Sequence, residues 1–266
     1  DDKTIFITSI AGSGLHRTPS ELAAKDQVKQ LVYGSNLSYQ YKRLKIGLTY
    51  VGIQFNGYLL KGIPIRNRFD FEGKSQHTIG LSYQNTYRNY YIFGEVAHSF
   101  NSGYATLNGL IVSLHPKLSI FVTYRNYGRD YHSFYGQSLG VSSSVSNEKG
   151  MYGGVIFHPM RKIEWINYID VFSYPWLKYN VDGPSEGTDF LSQFTYSWYK
   201  KGKLSIRYRH RLKQENQHLV GSNTNALADV SRNQLRLNYE YKLNENWNIR
   251  TRAELSLFEK EMSPYS

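Results

Sequence analysis

The chain has 266 residues, 15% of them aromatic, and 32 Lys and Arg against 21 Asp and Glu give a formal charge of +11. That length allows one or two ordinary domains, while a mean hydropathy of −0.53 and the lack of any apolar run near eighteen residues exclude a membrane helix. There is no cysteine, which excludes disulfides and thiolate metal ligands without naming a compartment. The positive charge fits nucleic acid, anionic lipid, an acidic solute or a solvated surface, but the clustered basic helix of a duplex reader is missing.

In chain order, a strand is expected over 4–10, close to Asp1 and with no signal peptide before it, as in a mature fragment or internal piece. A long connection, 11–29, follows. In it Thr18, Pro19 and Glu21 stand as N-cap, N1 and N3 of a capping box, which predicts one or two helical turns. Ala11-Gly12-Ser13-Gly14 lacks the Lys-Ser/Thr of a phosphate loop, and Ser13 beside His16 and Arg17 lacks a third, orienting group.

From there the pattern becomes regular. Strands are expected at 30–41 and 44–55 across Lys42-Arg43, and at 76–87 and 90–100 across Arg88-Asn89. They continue at 104–114 and 117–128 across His115-Pro116, and at 149–158 and 162–173 across Pro159-Met160-Arg161. The last pairs are 188–199 and 203–214 across Lys201-Gly202, then 230–242 and 247–258 across Asn244-Glu245-Asn246. Between these tight turns lie long connections at 56–75, 129–148, 174–187 and 215–229, with 101–103 a short exception. Alternating tight and long connections sort onto two opposite rims.

Strand length and face chemistry point to a bilayer. At about 3.3 Å per residue, an eleven-residue strand tilted near 40° spans on the order of 25 Å, the apolar height of an outer-membrane barrel. Trp247, Ile249, Ala253, Leu255 and Leu257 alternate with Asn248, Arg250, Arg252, Glu254 and Ser256. Over 203–213, Arg207, Arg209 and Arg211 share one side while Leu204, Ile206 and Tyr208 share the other, and Arg236 and Glu240 repeat this on the next strand. A basic side chain at the lipid midplane costs roughly 2–4 kcal/mol, so the arginines must face a lumen. Tyr39, Tyr41, Tyr87, Tyr90, Trp198 and Tyr199 flank tight turns, where an interfacial aromatic girdle would stand. The fold expected is therefore all-β, an antiparallel transmembrane barrel of about thirteen strands in one domain. An odd count and a polar exit over 259–266 suggest an incomplete piece of a larger barrel.

Candidate chemistry is sparse. Asp130 and His132 bring an acid and a base together in a long loop, and His98, His158 and His210 fall singly on strands. No zinc spacing occurs, and neither cofactor nor metal is expected. The lumen basic patch of Arg207, Arg209, Arg211, Arg236, Arg250 and Arg252, with Glu240 and Glu254 as carboxylate partners, has two readings: cross-strand bracing first, anion selection second.

The run Gly14-Leu15-His16-Arg17-Thr18-Pro19-Ser20-Glu21-Leu22 resembles a loop in outer-membrane barrel proteins of Bacteroidota that carry a helix-hairpin-helix segment before the barrel. Further similar stretches are Thr106 to Leu110, Tyr124 to Tyr127 with Asp130-Tyr131, Asn147 to Tyr152 and Pro175 to Ser185. The resemblance implies an outer-membrane location among lipid, lipopolysaccharide and other envelope proteins, and a link to DNA binding or uptake. These 266 residues hold no helix-hairpin-helix segment, so the DNA link falls on no residue of this chain. The expected function is a non-enzymatic barrel with a channel, transport or anchoring role. A barrel-rim hydrolase and a soluble basic β-protein that binds nucleic acid are the alternatives.

Overall fold

The computed structural model describes residues 5–8, 10, 15, 17–198, 201–218 and 225–262. Tyr199, His16 and the Ala11 to Gly14 run lie outside them. The order is β1 (Phe6–Ile7), α1 (Pro19–Ala23), β2 (Gln30–Tyr41), β3 (Leu44–Leu59), a 3-10 turn (Ile65–Phe69), β4 (Gly73–Tyr87) and β5 (Tyr90–Ser99). It continues with β6 (Tyr104–His115), β7 (Leu118–Tyr127), β8 (Glu148–Met160), β9 (Ile163–Tyr174) and β10 (Ser185–Trp198). β11 (Gly202–His218), β12 (Asn225–Lys242) and β13 (Asn248–Met262) complete it.

All thirteen strands join one sheet. From β2 to β13 each strand pairs antiparallel with its neighbour in sequence, a twelve-strand meander. β1 departs from expectation, since only Phe6–Ile7 is strand and it runs parallel to β3. The N–H of Asn56 bonds Lys29, while those of Tyr58 and Leu60 bond Ile5 and Ile7. Alternate residues of a strand donate to the same side, so β1 prolongs the β2 edge and is not a further wall strand. The odd count therefore does not describe the wall. Among the described residues the sheet is not closed: a barrel needs its two edges to exchange backbone hydrogen bonds, and β2 and β13 each pair on one side only.

The register makes one face largely apolar over the meander, with Asn108, Asn167, Ser192, His210 and Asn233 among the polar residues that share it. Ile46 stands opposite Tyr39 and Tyr83, Phe190 opposite Ile169 and His210, and Leu235 opposite Tyr208 and Leu255. On this face Leu37, Leu48, Leu81, Ile92, Met151, Ile169, Phe194, Ile206, Leu237 and Leu255 are exposed. Aromatic rings gather toward its tight-turn ends: Trp198 lies 5.1 Å from Tyr196 and 6.0 Å from Tyr239 between ring centroids. Tight turns occur where expected, with Lys42 and Arg88 at φ 52° and 53°.

The opposite face is concave and partly filled. In a flat sheet the β3–β4 and β9–β10 connections would lie six strand spacings apart, about 29 Å. Instead Trp176 Nε1 donates to the Arg66 carbonyl at 3.1 Å, and the Phe69 and Trp176 rings meet edge to face at 4.8 Å. The 128–147 connection, expected as a long rim loop over 129–148, folds inward. Tyr131 is 5% exposed and packs on Ala97, Ala105 and Tyr127. Ser99 Oγ bonds both the amide and the carbonyl of His132, and Phe134 meets Phe55 and Phe71 edge to face. Strand ends also run further than expected: β3 reaches Leu59, β11 reaches His218, β12 starts at Asn225, and β13 absorbs 259–262 from the expected polar exit.

Candidate functional site

The concave face of β10 to β13 carries the basic wall. Register fixes its membership: Arg211 stands opposite Asp189 and Arg232, Arg207 opposite Gln193 and Arg236, Arg236 opposite Glu254, and Asn238 and Glu240 opposite Arg252 and Arg250. All six expected arginines and both expected glutamates are thus on one face. Arg232 and Asp189 belong with them. Arg232 has the same parity as Arg236 and was visible in the sequence as part of the same column, whereas Asp189 was not.

Asp189 is the hub. Its side chain is 7% exposed, and its carboxylate accepts from Arg209 Nε at 2.8 Å, from Arg209 Nη2, and from Arg211 Nε and Nη2 at 3.0 and 2.8 Å. Glu254 binds Arg236 Nε at 2.8 Å, and Glu240 lies 3.7 Å from Lys203 Nζ. Among the described residues, three other arginines bond only neutral groups: Arg207 Nε reaches Gln193 Oε1 at 2.8 Å, Arg252 Nε reaches Asn238 Oδ1 at 2.9 Å, and Arg232 Nε reaches Ser256 Oγ at 3.1 Å. Among the described residues, no carboxylate lies within ion-pair distance of Arg207, Arg232, Arg250 or Arg252. Bracing and uncompensated charge therefore coexist on one wall. Arg207 against Arg236 and Arg211 against Arg232 are like charges placed directly opposite, an arrangement that destabilises a ladder unless an anion screens it.

A second charged group sits deeper, beside the inward loop. Arg125 on β7 donates from Nε to Glu148 at 2.6 Å and from Nη1 and Nη2 to Asp170 at 2.8 and 3.1 Å. The side chains of Arg125 and Glu148 are each 1% exposed. Glu148 also accepts the amides of Val141 and Ser142, which ties the loop to the wall. Gly150 makes room, since a Cβ there would come within 2.5 Å of Arg125 Cζ. Asn147, at φ 53°, clamps Trp176 with bonds of 2.9 and 2.8 Å in both directions. None of this trio was singled out in the sequence; an arginine and two acids 23 and 45 residues away give no local spacing to find.

The sequence-adjacent pair Asp130 and His132 is not joined by a hydrogen bond among the described residues. His132 is anchored by its backbone, its ring meets Phe71, and burial lowers its basicity below the ordinary value against the pull of Asp130. His98 stacks on Tyr104 at 4.1 Å, His210 bonds Asn233 at 2.8 Å, and His158 bonds Glu164 at 3.2 Å, each in a local polar contact. Among the described residues no group of three or more His, Cys, Asp or Glu could hold a metal ion. Comparison with protein-family models, with curated proteins and with solved structures gave no match for this chain.

Proposed function

We propose that the protein is a non-enzymatic outer-membrane β-barrel wall with a channel, transport or anchoring role, whose inner face attracts anionic solutes. The observation that carries this reading is the largely apolar, exposed face that extends over the twelve-strand meander, with every arginine of the basic patch on the other side. The likeness of 14–22 to a loop of Bacteroidota outer-membrane barrels supports the same location. There its partners are the bilayer, the lipopolysaccharide leaflet and other envelope proteins. A DNA partner belongs to the helix-hairpin-helix segment that the resemblance implies. The inner face favours anions because, among the described residues, four of its arginines have no carboxylate within ion-pair distance.

Flotation of refolded protein with liposomes tests the proposal. Protein that rises with the vesicles, resists carbonate extraction and keeps its strand signal in far-UV circular dichroism supports it. A folded monomer that stays in the aqueous layer without detergent rules it out.

A further inference from the structure

The basic column does not end at Arg211. The next inward position on β11, toward the long-loop rim, is Lys213, and there the β9–β10 connection folds over to build a pocket of about 260 Å³. Lys178 belongs to that connection. Its N–H and C=O exchange bonds with Val181 at 2.9 and 3.1 Å, closing a tight turn through Asn180 at φ 59°. The turn is pinned to the end of β11, with Asn216 N bonding the Asn180 carbonyl at 2.9 Å and Asp182 N bonding Asn216 Oδ1 at 2.9 Å. This holds Lys178 Nζ 3.3 Å from the centroid of the Tyr174 ring.

Three features of this pocket are unusual together. Lys178 and Lys213 both line it, and among the described residues neither has a carboxylate within ion-pair distance. Tyr174 lines it too, is 6% exposed, and its hydroxyl is buried with no hydrogen-bond partner in the protein. Ser185, directly opposite Tyr174 in the β9–β10 ladder, adds a hydroxyl. Two cations held together with no close carboxylate are costly in isolation, and one bound oxyanion would relieve that cost.

We propose that this pocket binds the phosphate group of a small solute at the head of the basic wall. Two ammonium groups match the charge of about −1.5 to −2 that a phosphate monoester carries at neutral pH, whereas a carboxylate would leave one of them uncompensated. Glu186 and Glu215 also line the pocket and are solvent-exposed, and among the described residues neither lies within ion-pair distance of Lys178 or Lys213. Burial and the nearby Lys213 push the Lys178 ammonium down to about 8 despite the pull of Glu148, in keeping with a cation that lacks its counter-ion. The proposal rests on the concave face being a water-filled lumen.

Calorimetric titration of the detergent-solubilised full chain with inorganic phosphate tests the site, with acetate as the competing probe. Saturable phosphate binding is expected, tighter than acetate. Lys178→Gln and Lys213→Gln should each weaken it by about tenfold or more, since each removes one charge-assisted bond to the anion. Lys149→Gln, on the outer face of β8, should leave it unchanged. Circular dichroism melts establish that each variant is folded. Folded wild-type protein without saturable binding, lysine variants that bind as wild type, or acetate binding as tight as phosphate would overturn the proposal. Liposome flotation of the same preparation separates the two claims: insertion without phosphate binding removes the site alone, and binding without insertion removes the membrane reading alone.

Discussion

Arg125 and Arg236 lie on the same concave face and each pairs with a carboxylate across a ladder, yet the Arg125 side chain is 1% exposed and that of Arg236 is 27% exposed. The difference comes from what covers them. The 128–147 connection folds over β7 and β8 and removes water from Arg125, Glu148 and Asp170. No described segment covers β12 and β13, so Arg236 and Glu254 stay wet. The same chemistry thus makes an anchor on one half of the wall and a solvated surface on the other.

The largest effect that would sharpen this contrast is at the anchor. Glu148→Ala leaves Arg125 buried with half its partners and frees the amides of Val141 and Ser142, and breaking a buried pair in this way costs about 3–5 kcal/mol. Urea unfolding in detergent micelles, followed by circular dichroism, reads it; a loss below about 1 kcal/mol would break the contrast. Gly150→Ala comes next, because its methyl would displace the Arg125 guanidinium, an overpacking cost of about 1–3 kcal/mol by the same assay.

A smaller effect comes from pH. The Lys178 amine loses its proton at about pH 8 in the folded state and at its ordinary value of 10.5 when unfolded. Between these values the unfolded chain holds more protons, so stability rises with pH through this window. His132 acts in the same direction at lower pH: it is buried neutral, and stability falls as acid protonates the unfolded chain first, below its ordinary value of 6.5. Melting temperatures across pH 5 to 10 check both, with Lys178→Met removing the alkaline part and His132→Phe the acidic part. The smallest effect is Arg236→Gln, where the lost partner is solvated; its melting temperature should match the wild type within error.

The wall was largely legible in the sequence because a strand with one apolar and one polar face must alternate over its whole length. β2 begins and ends where the period-two pattern does, and the arginine column on β11 follows from it directly. The capping box was equally local: Thr18 Oγ1 accepts the Glu21 amide at 3.3 Å and the Glu21 carboxylate accepts the Thr18 amide at 3.2 Å. The failures are non-local or polar. Glu215 to His218 have no apolar face to betray a strand, yet their backbones pair with 225–228. Asp189 became the hub because the register sets Arg211 across from it, and register is a property of pairs of strands. Tyr131 and Phe134 were the only hint that the 129–148 loop turns inward, since two large aromatic groups in a loop need a surface to cover them.

The claim on which everything else depends is that the convex face meets lipid and the concave face meets water. Because the chain has no cysteine, single cysteines placed in turn at positions 203 to 213 can each carry one nitroxide label in vesicle-bound protein. The account predicts that labels at 204, 206 and 208 are relaxed preferentially by oxygen dissolved in the bilayer and those at 205, 207 and 209 by a water-soluble nickel complex, with a period of two. Uniform relaxation by the nickel complex along the strand would contradict it.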